Sequence, residues 1–188
     1  MLKPYSLFLL LPLSLALLLI SYSVSADIKQ INQASFFGLK LLDSDISKVR
    51  DQLWNIGGFK QARSTKRKRA IDKFFISYHV KDTYYIEFRY TSSGKLLSAK
   101  RLYKPQSIHF KNKRTPIQTR EIALDLIAEL GQPTQITTVA GFRPYSKFKW
   151  ETDKIKVIID REGSEYSGNV FISYQVKTDP YFVASLEP

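Results

Sequence analysis

The chain has 188 residues, with 29 Lys and Arg against 17 Asp and Glu, a formal net charge of +12, and no cysteine. Without cysteine it has no disulfide, no thiol nucleophile and no thiolate metal ligand, so its packing must hold it together. Apolar residues make up 44% of the chain and aromatics 13%, a composition that excludes a disordered protein.

Residues 1–26 read as a secretory signal peptide. Lys3 gives a positive start, and Leu7 to Ile20 is an apolar run broken by Pro12 and Ser14. The run falls short of the roughly 20 residues a spanning helix wants. Val24 and Ala26 stand at the two positions a signal peptidase reads. Cleavage after Ala26 is expected, with the mature protein in the periplasm or secreted; a retained anchor is the alternative. No cysteine follows the leader, so a lipoprotein of the usual bacterial kind is not expected.

Charge is unevenly placed. Residues 27–120 hold 21 basic and 7 acidic residues, whereas 121–188 hold 7 basic and 10 acidic. Such asymmetry points to a charged partner surface more than to a requirement of folding.

Residues 27–43 read as a leader or linker. Asp43-Ser44-Asp45 then offers helix caps, and Ile46, Val49, Leu53 and Ile56 share one helical face before Gly57-Gly58. Alternating runs at Phe74–Val80 and Tyr84–Tyr90, separated by Lys81-Asp82-Thr83, predict a hairpin, and Lys95–Tyr103 a third strand. Thr115-Pro116-Ile117-Gln118 predicts a second helix start, with Ile122, Ala123, Leu126, Ile127 and Leu130 as its apolar stripe. Strands are expected at 134–140, 145–152, 154–160 and 169–177.

The order helix-then-strands thus occurs twice, with Gly57 and Gly131 ending the helices 74 residues apart. The predicted fold is α+β: two tandem modules, 44–114 and 115–188, each a helix packed on its own antiparallel sheet of about three to four strands. Phe75–Lys81 and Phe171–Lys177 also echo each other, at a conflicting offset of 96. The helix spacing is preferred because it matches the order of elements.

Thr119-Arg120-Glu121-Ile122 leading to Leu130-Gly131-Gln132-Pro133-Thr134, before a strand meander, resembles the beta-lactamase-inhibitor-protein-like modules and the small outer-membrane assembly lipoproteins of the SmpA/OmlA type. The resemblance implies a helix on an antiparallel sheet, in tandem, and covers residues 119–134. The first repeat departs from it, because Ile56-Gly57-Gly58-Phe59 has no proline. The lipoprotein cysteine and the inhibitors' disulfides are missing, and no site residue is carried over.

Catalytic signatures are sparse. Two histidines, His79 and His109, with no cysteine speak against a zinc site, and no cofactor is expected. Asp160-Arg161-Glu162 and Glu165 could pair for acid–base work but read better as a charged hairpin turn. Six cations fall within residues 60–69, among them Lys66, Arg67, Lys68 and Arg69. Lys100, Arg101, Lys104, Lys111, Lys113 and Arg114 follow, with no Asp or Glu between Phe88 and Arg120. The bland reading is a solubilising surface. The functional one is an anionic partner, either an acidic protein or an anionic lipid or lipopolysaccharide; the leader disfavours nucleic acid. Tyr85, Arg89 and Tyr103 would add a Tyr- and Arg-rich interface if they share an open sheet face. The sequence therefore predicts an exported, non-enzymatic binding protein. A small secreted hydrolase using a carboxylate pair and a structural envelope component are the alternatives.

Overall fold

The computed structural model describes residues 28–68, 70–76, 80, 82–107, 115–141, 143–162 and 168–177. The expected signal peptide at 1–26, both histidines, Glu165, Arg69, Lys111, Lys113 and Arg114 lie outside them. In chain order the elements are α1 (Ile28–Asn32), β1 (Ser35–Phe36), β2 (Leu39–Lys40), a 3-10 turn (Leu41–Asp43), α2 (Ile46–Ile56), β3 (Phe59–Gln61), β4 (Ile71–Ile76), β5 (Thr83–Tyr90) and β6 (Leu96–Tyr103). They continue with β7 (Gln106–Ser107), β8 (Thr115–Pro116), α3 (Thr119–Leu130), β9 (Gln135–Val139), β10 (Tyr145–Glu151), β11 (Ile155–Glu162) and β12 (Asn169–Val176). No helix among the described residues is long and apolar enough to cross a membrane.

Both long helices start where a side chain can satisfy their free amides. Asp45 accepts the Lys48 backbone N–H at 3.0 Å at the start of α2. Gln118 and Glu121 form a reciprocal capping box at the start of α3. That start lies three residues beyond the predicted proline. Thr115 and Pro116 instead pair with Ser107 and Gln106 in a two-stranded ribbon. At the end of α2, Gly57 takes φ +78, a left-handed conformation in which a side chain would be strained.

The predicted fold class is corrected by the strand order. One antiparallel sheet of eight strands runs β3-β4-β5-β6-β12-β11-β10-β9, in place of two helix-on-sheet modules. The last strand of each meander pairs with the other, Leu102 opposite Phe171 and Ala99 opposite Tyr174. The physical reason is the edge of β6 and of β12. Each is an eight-residue strand, and left unpaired each would expose a long row of backbone donors and acceptors. Pairing them removes both edges and fuses the two apolar layers into one core cluster.

The helix spacing runs on through the strands: α2 and α3 start 73 residues apart (46 and 119), β5 and β11 72 apart (83 and 155), β6 and β12 73 apart (96 and 169). The echo between Phe75 and Phe171 begins in β4 and in β12, which hold different places in the sheet.

One face of the sheet is covered. Ile86, Phe88, Ala99, Val157, Ile159, Ile172 and Trp150 are nearly or fully enclosed there. Fully burying each of the larger side chains contributes about 1.5–3 kcal/mol. Much of the covering comes from residues 28–44. Ile31, Phe36, Leu39 and Leu41 join the core, and the Phe36 ring lies 5.6 Å from Phe88 and 5.3 Å from Tyr174, across the central seam. α3 covers β10 and β11, where the Trp150 indole donates to the Gly131 carbonyl at 2.8 Å.

Candidate binding surface

Strand alternation decides which side chains stand on the uncovered face. Phe75 is opposite Tyr85 in the β4–β5 ladder, and Tyr85 is opposite Leu102 in the β5–β6 ladder. Tyr85 and Leu102 are buried, yet both lie outside the core cluster, because they bury each other and their neighbours on the second face. An irregularity between Thr83 and Tyr85 turns Tyr84 to the same side, 5.7 Å from the Tyr85 ring and 6.2 Å from Phe75. Phe75 is 40% exposed and Tyr84 53%, so this aromatic cluster meets solvent.

Cations cap it. The Lys73 ammonium sits 3.5 Å from the centre of the Tyr85 ring and 5.8 Å from that of Phe75. Lys100 lies 4.5 Å over the Phe171 ring across the seam and also pairs with Glu162 at 2.7 Å. Arg89 is exposed beside Glu87 on the same face, at 3.1 Å. Burial raises the Tyr85 phenol above its ordinary value, so it stays neutral under Lys73. Cation–π contacts of this kind are worth about 0.5–1 kcal/mol at exposed sites and more when desolvated.

The second half of the same face is different. Lys147 pairs with Asp160 at 2.7 Å, and Lys149 and Lys177 flank Glu151 at 2.8 and 3.0 Å. Hydrogen bonds from Lys149 and Lys177 hold the Glu151 carboxyl down at about 2. Burial pushes Asp160 up, but hydrogen bonds from Lys147 and Tyr145 outweigh it and leave the carboxyl below its ordinary value. Asp160-Arg161-Glu162 closes β11 as strand and not as a turn, with Asp160 and Glu162 each engaged by a lysine.

Of the other residues singled out, Arg101 and Tyr103 stand on the covered side. Arg101 pairs with Ile86 and Ile172 in register, donates through Nε to the Thr83 hydroxyl at 2.7 Å, and stacks 4.3 Å over Tyr103. With Asp82, Glu121 and Asp125 they line a cavity of about 380 Å³. Lys104 is exposed just past β6, its backbone N–H bonded to the Asp82 carbonyl. Arg67 and Lys68 are exposed at the turn after β3, and Lys66 lines a separate groove beside α2.

The sequence reading missed Lys73, Phe75, Tyr84 and Phe171. The available signal was that β4 and β5 carry aromatics at both parities, Phe74 and Phe75, Tyr84 and Tyr85, so at least one member of each pair had to leave the core.

No protein-family model matches the chain, and no curated protein matches it. Among solved structures, it is similar to a DUF4309 family protein from Bacillus subtilis, at 10% identity over 80% of this chain and 95% of that one, with a TM-score of 0.44. A likeness of that extent carries no argument about fold or function.

Proposed function

We propose that the protein is an exported, non-enzymatic binding protein that holds an acidic partner protein on the uncovered face of β4, β5 and β6. The carrying observation is Lys73. Its ammonium rests on Tyr85 and Phe75 and has no carboxylate partner among the described residues. A cation on a solvent-facing aromatic patch provides the two things an interface uses, apolar area and a charge that can be completed from the partner side. The excess of positive charge over residues 27–120 steers such a partner toward this half of the sheet. The leader at 1–26 supports export.

The test is capture from a native envelope extract on immobilised protein, beside the Lys73→Glu and Arg89→Glu variants and beside vesicles of anionic phospholipid. An acidic protein retained by the wild type and lost from both variants, with no binding to vesicles, supports the reading. Retention unchanged by both reversals overturns it, and so does binding to vesicles alone.

A further inference from the structure

We infer a second binding site, for a phosphorylated saccharide, in the groove between the last turn of α2 and strand β3. Trp54 marks it. The indole is 86% exposed, whereas the protein's other tryptophan, Trp150, is fully enclosed. A side chain of this size standing in water is the informative exception to burial. It lies off the Val49–Leu53 face that seats α2 on the sheet, so packing does not explain it.

The groove has a volume of about 740 Å³, within the range of small-molecule sites. Its floor is Leu53, Phe59 and Phe74, and Gly57 and Gly58 bring bare backbone to its wall. Its rim carries Lys60, Arg63 and Lys66, and among the described residues no carboxylate lines it. None of these three cations is ion-paired among the described residues. The fourth cation, Arg50, is occupied. Its guanidinium grips Asp72 through two bonds of 2.9 Å, and Asp72 also accepts from Gln61 and Tyr90. That network, anchored on the fully enclosed Asp72, fixes the groove wall and leaves the three rim cations for a ligand.

Three cations around one groove call for a ligand with more than one negative charge in a short span. Phosphate esters meet this, since each carries close to two charges and suits an arginine fork. A single broad, open indole suits the flat apolar face of a sugar ring. A nucleobase would want a second ring or several base-edge partners, and among the described residues Gln61 is the lone neutral polar side chain in the lining. This site is independent of the sheet-face proposal, because it shares no residue with it.

Trp54 is also the reporter. Its emission should be open to acrylamide quenching while that of Trp150 is shielded. Glucose bisphosphate is the probe, with glucose, inorganic pyrophosphate and ATP as comparisons. The expected result is that glucose bisphosphate protects Trp54 from quenching. Affinity should fall about tenfold in Arg63→Gln and again in Lys66→Gln, each removing one charge-assisted contact. Pyrophosphate should bind about tenfold more weakly, having no ring to place on the indole. Binding of glucose bisphosphate by Trp54→Ala, followed calorimetrically, should weaken to the pyrophosphate level. Pyrophosphate binding as tightly as the sugar bisphosphate, ATP binding more tightly than either, or no protection by any of the four overturns the assignment. All three substitutions are at exposed positions, and an unchanged thermal transition confirms that each variant is folded.

Discussion

The two halves of the sheet dispose of their lysines in opposite ways. On β10 and β11, Lys147 and Lys149 rest on the carboxylates of Asp160 and Glu151. On β4, Lys73 rests on aromatic rings. The difference originates in where the acids are. The second half places its carboxylates on the uncovered face beside the lysines. The first half has Glu87 on the uncovered face, opposite Lys73 but taken up by Arg89, and Asp72 on the covered face, where it is fully enclosed and taken up by Arg50, Gln61 and Tyr90. A neutralised lysine belongs to the fold. A lysine on a ring still has a charge to offer, and net charge alone would not separate the two.

The largest expected effect tests that origin. Asp72→Ala should destabilise the protein by about 2 kcal/mol, because it takes the acceptor away from the buried Tyr90 hydroxyl and from Gln61, while the half-exposed Arg50 can turn to water. Asp160→Ala should cost under about 1 kcal/mol, since Lys147 can turn to water. Chemical denaturation measures both, and similar costs would mean that the two acids are not differently used.

Next comes binding. Lys73→Glu should weaken the captured partner about tenfold or more, as loss of a charged contact does. Lys147→Glu, in the neutralised half, should change it by less than about twofold. Titrating each variant against the captured partner decides it, and equal losses would reduce the comparison to bulk charge. Salt sharpens the same contrast. At about 1 M, where screening acts within roughly 3 Å, the contribution of Arg89 should vanish while that of Phe75 and Tyr84 persists.

The smallest effect is on acid stability. Glu151 has its folded-state carboxyl lowered from 4.5 to about 2, so the stability it contributes is complete above pH 4.5 and is lost as pH falls toward 2. Its pair is partly exposed, which limits the loss to about 1 kcal/mol or less. Glu151→Gln should flatten that segment of the stability–pH curve, and an unchanged curve would show that the lysines at 149 and 177 do nothing for the fold.

Local elements were legible in the sequence because they depend on near neighbours. Val49 and Leu53 marked α2, the alternation from Val170 to Val176 marked β12, and Asp45 and Gly57 bounded α2 as turn chemistry requires. The joining of β6 to β12 was not legible, since nothing local to Leu102 distinguishes a partner about seventy residues away from open water. The same gap hid the binding surface. Tyr103 was grouped with Tyr85 on composition, but the bulge in β5 and the register of β6 place them on opposite faces. Residues 27–43 read as a leader or linker because their core residues are spread over four short elements, none long enough to show a period. The basic loop residues at 66–68 were visible as charge, whereas Trp54, which gives that charge a groove, stood unremarked beside the apolar stripe of α2.

The seam between β6 and β12 also sets an order of events. The strand that closes the middle of the sheet is the last of the described strands, so a growing polypeptide has most of its sheet available and no means of completing it. Until residues 169–176 arrive, β6 keeps one side open, and the core beneath it lacks Ile172 and Tyr174. A chain built this way folds late and all at once, with slow, long-range closure. Under the proposed export, this order of closure keeps the polypeptide threadable until β12 has passed.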